Sequence, residues 1–195
     1  MKLERSPIVL TVAMIALGAG ALPAQARRNA VSSQVEDFFG KDAVAAVYGA
    51  SSVEIARLRK ARGGDGYTIE SVGKLSGVVA GAFRKVLLDY ATYDFPPAGE
   101  SDSKLCGSFD PAVVVRFARG AKPPADVILS LSCIEGGMAT GPTLPRKLTA
   151  GAAYEGWPRF RANMGPGQMR VLGLLTRALP KDIDIKAFMA AAQGN

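Results

Sequence analysis

Two short runs hold the residues of this chain best suited to gripping a ligand. RLRKAR sets Arg57, Arg59, Lys60 and Arg62 within one short stretch, and GWPRFR interleaves Trp157 and Phe160 with Arg159 and Arg161. Guanidinium and ammonium groups beside aromatic rings bind anions through charge-assisted hydrogen bonds and stack on flat groups, which suits sugars, lipid head groups or phosphates. Each run also has a plain structural reading: a solvated strand edge for the first, and a loop tucked onto the core for the second.

Catalytic candidates are fewer, because the chain contains no histidine. That excludes Ser-His-Asp and Cys-His nucleophilic catalysis, histidine zinc sites and an imidazole acid–base group. An enzyme built from these residues would need a Ser-Lys pair, a cysteine, a tyrosine or paired carboxylates. The carboxylates from Glu36 to Asp110 are scattered, with no spacing that marks an acid and its partner. Glycosidase chemistry needs two of them roughly 5 to 10 Å apart in a cleft. SDSK is too sparse in carboxylates for a calcium loop, and two cysteines without histidine do not complete a tetrahedral zinc site unless carboxylates contribute. No metal and no cofactor is expected.

The two cysteines, Cys106 and Cys133, stand at the ends of LCGSFDPAVVVRFARGAKPPADVILSLSC. A redox pair is usually Cys-x-x-Cys at a helix start, where backbone amides lower the thiol pKa, and this spacing is far longer. Period two puts Cys133 on one face with Val127, Leu129 and Leu131, pointing into the core. A disulfide of this loop length would contribute roughly 3 to 4 kcal/mol. Geometry sets a condition on it. A straight strand would hold the two residues about 15 Å apart at roughly 3.3 Å per residue, whereas bonded Cα atoms lie within about 7 Å, so CGSFD must fold back. Two buried free thiols are the alternative.

These residues need elements to hold them. Val35, Phe38 and Phe39 behind Ser32 and Ser33 predict a helix. Val53 to about Arg59 and Tyr67 to Val72, joined by GGDG, predict a hairpin. LSGVVAGAFRKVLLDYATYDF puts Val79, Phe83, Val86, Leu87 and Tyr90 on one helical stripe, capped by Ser76 and stopped before Pro96. Val113, Val115 and Phe117 alternate on one strand and Val127, Leu129 and Leu131 on the next, about the turn RGAKPP. Residues 136–166 are rich in Gly and Pro without a period and read as an irregular excursion. A helix through Val171, Leu174, Leu175 and Ala178 ends at Pro180, and a last short one starts at Asp184, burying Ile185, Phe188 and Met189. The order helix, hairpin, helix, hairpin, helices predicts an α+β domain: an antiparallel sheet built from two hairpins, with helices mainly on one face.

The N-terminus supplies an address. Lys2 and Arg5 precede an uncharged stretch from Pro7 to about Leu22 and then Ala24-Gln25-Ala26, the three-part pattern of a secretory signal peptide cleaved after Ala26. That apolar run is shorter than the roughly 20 residues a spanning helix needs, so no membrane span is expected after cleavage. Removing 26 of 195 residues leaves 169, enough for one domain with a real core. The chain carries a net charge of +7, which favours anionic partners, and export to the periplasm or beyond argues against nucleic acid. An oxidising compartment favours a Cys106–Cys133 bond.

LSGVVAGAFRKVLLDYATYDF, KLCGSFDPAVVVRF, ADVILSLSC and LLTRALPKDIDIKAF together resemble a group of small exported bacterial proteins with no assigned activity. Their shared core looks like Cys-x-Phe-x-Pro, a valine-rich strand, a hydrophobic strand ending in Cys and a closing helix with Leu-Pro-x-Asp, over roughly residues 68–190. This chain departs by an extra residue between Cys106 and Phe109. The resemblance implies the fold and no function. The expectation is therefore a non-enzymatic periplasmic or secreted binding domain, stapled by Cys106–Cys133, for an envelope component or another exported protein. Its rivals are an exported hydrolase working near residues 136–166 with carboxylates or a Ser-Lys pair, and a thiol-redox protein using Cys106.

Overall fold

A computed structural model describes residues 33–64, 66–95, 109–141 and 144–194. The expected signal segment and Cys106 lie outside them. The strands are β1 (Ser52–Lys60), β2 (Tyr67–Lys74), β3 (Pro111–Arg119), β4 (Lys122–Ser130), β5 (Glu135–Thr140), β6 (Ala153–Tyr154) and β7 (Arg161–Asn163). They form one sheet in the order β6-β2-β1-β3-β4-β5-β7, every neighbouring pair antiparallel. Both expected hairpins are present, β1–β2 across GGDG and β3–β4 across Gly120 and Ala121. They join through β1 and β3, where Val53 faces Phe117 and Ile55 faces Val115.

Successive residues of a strand point to opposite faces, and here both faces are covered. One buries Ile55, Val115, Phe117, Val127 and Leu129 beneath helices; the other buries Ala56, Leu58, Ile69, Val114 and Ile128 beneath Leu144, Leu148 and Tyr154. This second cover explains the continuous burial of β3, whose Val113, Val114 and Val115 are all fully buried. An exposed face would have demanded alternation.

The helices are α1 (Ser33–Phe39), α2 (Lys41–Tyr48), α3 (Gly77–Leu87), α4 (Gln168–Ala178) and α5 (Ile183–Gln193). The first expected helix is two. Gly40 adopts φ 89°, which only glycine takes without strain, and ends α1 before α2 begins. Ser76 caps α3 as expected, its side chain accepting from the Val79 N–H, while Tyr90 lies beyond the helix in a short 3-10 turn and is exposed. α3 and α4 bury Phe83, Leu87, Leu172 and Leu175 completely against the sheet. Truncating such a phenylalanine to alanine costs about 3 to 5 kcal/mol. α5 is capped by Asp182 instead of Asp184: its carboxylate accepts from the N–H groups of Asp184 and Ile185, both at 3.0 Å. The chain between residues 33 and 194 is thus an α+β domain with helices on one sheet face.

The irregular excursion expected for residues 136–166 is corrected. It carries most of β5, then β6 and β7, and extends the sheet at both ends. Its glycines serve close packing as well as turns. A Cβ on Gly136 would overlap the Met164 side chain, and one on Gly137 would overlap Pro158 and the Phe160 carbonyl.

Candidate functional site

Hairpin register sets Lys60 opposite Tyr67. Tyr67 turns toward the sheet face away from the helices, and its hydroxyl donates to Asp110 Oδ1 at 2.7 Å. Burial, helped by the Asp110 carboxylate, pushes the Tyr67 pKa up to about 12, so the phenol keeps its proton at neutral pH. Trp157 packs its edge against Tyr67 at 6.0 Å between ring centroids and against Phe109 at 6.5 Å, yet stays 54% exposed. Arg161 lies over the Phe109 ring at 5.3 Å and pairs with Glu135 at 3.5 Å; Arg159 lies over Phe160 at 5.1 Å.

The two basic runs therefore meet. RLRKAR arrives through Lys60 and Tyr67, GWPRFR through Trp157 and Arg161, and Phe109 with Asp110 forms the join. Gly137 makes the meeting possible, since Pro158, next to Trp157, rests where a side chain would otherwise stand.

Beside this surface a crevice of about 680 Å³ opens between the end of β1, the start of β3 and α5. Its polar lining includes Lys60, Tyr67, Asp110 and Asp184 together with Arg57, Arg59 and Ser132; Leu131, Ala187, Phe188 and Ala191 supply much of the rest. Volumes of about 300 to 1,000 Å³ are usual for small-molecule sites.

The four arginines and lysines of the first run have different fates. Arg57 is buried, donating Nε to Asp182 and one terminal nitrogen to Asp184, both at 2.8 Å, and the other to the carbonyls of Leu58 and Ala112. It is a strut between sheet and α5 and not the tip residue its position in the run suggests. Arg59 is half-exposed but bridges Glu70 at 2.9 Å and Asp184 at 2.8 Å; the Glu70 hydrogen bond leads in holding its pKa above the usual value. Lys60 and Arg62 are exposed and form no ion pair among the described residues. They, with Arg159 beside Trp157, are the cations a ligand can reach. Sequence reasoning missed Tyr67, Phe109 and Asp110. The register of the GGDG hairpin carries the signal for Tyr67; nothing local marks the other two.

Cys133 does not end β4. The strand stops at Ser130, and Cys133 is half-buried in the turn Leu131–Ile134, where the Ser132 hydroxyl lies 3.9 Å from its sulfur. No described cysteine is free. Cys106 lies outside the described residues.

Among the described residues no serine hydrogen-bonds a lysine, and no three His, Cys, Asp or Glu side chains stand close enough to hold a metal ion. Tyr67 with Asp110 is a titratable pair lining the crevice, and the phenol's high pKa leaves it a hydrogen-bond donor. No helix of the described residues is long and apolar enough to cross a membrane. No family model matches the chain, and no curated protein or solved structure is significantly similar to it.

Proposed function

We propose that this is an exported, non-enzymatic binding domain of the bacterial envelope, stapled by Cys106–Cys133, that takes an acidic glycan on the surface around Trp157. The observation that carries the reading is the exposed indole seated on Tyr67 and Phe109, with Lys60 opposite Tyr67 in the hairpin and Arg161 over the Phe109 ring. An indole fixed by two rings offers a flat apolar face at little entropic cost, and the cations answer carboxylate or phosphate groups on the sugar. The adjoining crevice extends the contact. Export rests on the three-part segment before Arg27. Hydrolysis is the weaker reading, because a phenol with a pKa of about 12 is a poor proton shuttle near neutrality.

Trp157 is the sole tryptophan, so its fluorescence reports this surface alone. Titration with oligosaccharides bearing carboxylates or phosphates should shift the emission and saturate, while neutral oligosaccharides of equal length bind more weakly. Trp157→Ala should abolish binding measured by calorimetry without lowering the Tm. Equal affinity for neutral and acidic chains, or binding that survives Trp157→Ala, would overturn the proposal.

A further inference from the structure

A second concavity lies at the other end of β1. Glu54 stands six residues before Lys60, about 20 Å away at roughly 3.3 Å per residue. Here a cleft of about 810 Å³ opens between the β3–β4 turn on one side and Gly141 with the residues from Leu144 to Leu148 on the other.

Its floor rests on a buried ion pair. Arg116, with its side chain 3% exposed, donates Nε and one terminal nitrogen to the two oxygens of Asp126, each at 2.7 Å. The Tyr154 hydroxyl donates to the same carboxylate at 3.0 Å. Burial works against the Arg116 charge, but Asp126 outweighs it and holds the guanidinium above its usual pKa. The remaining arm of Arg116 donates to the Pro145 carbonyl at 2.6 Å. That bond, with Leu144 and Leu148 buried on either side, fixes the intervening Arg146 and Lys147 at the rim, where both are exposed. Lys122 faces them from the hairpin turn.

The charge balance of the cleft is one-sided. Asp126 neutralises Arg116, leaving Glu54 as the carboxylate in the lining against Lys122, Arg146 and Lys147. None of those three cations has an ion-pair partner among the described residues. We propose that this cleft is a binding site, separate from the Trp157 surface, for a phosphorylated sugar or polyol: the anionic phosphate lies among Arg146, Lys147 and Lys122, and a hydroxyl of the ligand donates to Glu54. The cleft is far larger than a lone phosphate requires, and a phosphate held among the rim cations reaches Glu54 only through a hydroxyl-bearing group attached to it. Rim cations hold the phosphate in solvent, so the affinity falls as salt rises.

The test is calorimetry of the full chain with glucose 1-phosphate, glycerol 3-phosphate and inorganic phosphate, and co-sedimentation with phosphatidylglycerol vesicles. The site predicts saturable binding of the organic phosphates that weakens about tenfold in Arg146→Gln/Lys147→Gln, two losses of about 0.7 kcal/mol each. Glu54→Gln should narrow the preference for them over inorganic phosphate, and Trp157→Ala should leave both unchanged. Binding to the soluble compounds assigns a free metabolite, and binding to vesicles alone assigns a lipid head group. No binding in either arm, or binding indifferent to Arg146→Gln/Lys147→Gln at unchanged Tm, overturns the proposal.

Discussion

Arg57 Nε stands 2.8 Å from Asp182 Oδ2, with the two side chains 7% and 11% exposed, and this contact joins the middle of the sheet to the start of the last helix. The same carboxylate caps α5. Asp182→Ala therefore removes the cap and leaves the buried guanidinium with only Asp184 as a charged partner. The expected loss is about 2 to 4 kcal/mol, read by urea unfolding. A loss under about 0.5 kcal/mol would mean that water replaces the carboxylate at no cost.

Acid should act through the same group. Burial opposes the charge on Asp182, but the Ile185 N–H and Arg57 outweigh it and hold its pKa below the usual carboxylate range; the Arg170 hydrogen bond does so at Asp89. A carboxyl depressed by folding contributes stability that is present above its unfolded pKa of about 3.9 and is lost as pH falls through the folded value. The Tm should be steady above about pH 5 and fall below about pH 4, less steeply in Asp182→Asn. An equal slope in that variant would assign the acid response elsewhere.

Alkali acts with the opposite sign. Tyr67 titrates at about 12, and burial raises Tyr93 and Tyr154 as well. A phenol raised by folding contributes stability that is complete below its unfolded pKa of about 10 and is lost as pH rises through the folded value. The phenolate absorbance of Tyr67, Tyr93 and Tyr154 should therefore be the last to appear, and should come together with unfolding. Tyr67→Phe should remove part of the alkaline loss of stability; an equal loss in that variant would assign it to Tyr93 and Tyr154 alone.

Gly137→Ala should be destabilising by about 1 to 3 kcal/mol, since the added methyl meets Pro158 and the Phe160 carbonyl. It should also shift the Trp157 emission, because Pro158 carries Trp157. A stable variant with wild-type emission would separate the two.

Intact mass with and without reductant tests the staple. The oxidised chain should weigh two hydrogens less and resist alkylation until reduced and unfolded. Free thiols that react in the native state would make Cys106 the first residue to mutate.

Much of the fold was legible because both hairpins and the three longer helices announce themselves by period and by turn residues. The 136–166 segment was not. Glycine and proline usually mark turns, and here Gly136 and Gly137 sit inside β5 because Met164 and Pro158 press against them. Period alone cannot separate a glycine that bends the chain from one that makes room. The site was half legible for a related reason. Composition picked out Lys60, Trp157 and Arg161, but Phe109 and Asp110 matter only through partners more than forty residues away, and Arg57 and Arg59 looked available until α5 brought carboxylates to them.

The sheet order also has a consequence for how the chain acquires its structure. Within each hairpin the paired residues are close in sequence, Lys60 with Tyr67 and Arg119 with Lys122, but the seam between hairpins pairs Ser52 with Ala118. Closing a loop of that length precedes any reward from Ile55 meeting Val115, so the hairpins form early and their docking limits the rate, on a scale of about milliseconds to seconds. Val115→Ala should then slow refolding while a change in the Gly120–Ala121 turn leaves the rate nearly untouched; the reverse pattern would place the barrier in the hairpin. Until docking, the inner edges of β1 and β3 are open to other chains, and the nascent protein is most exposed to misassembly in that interval.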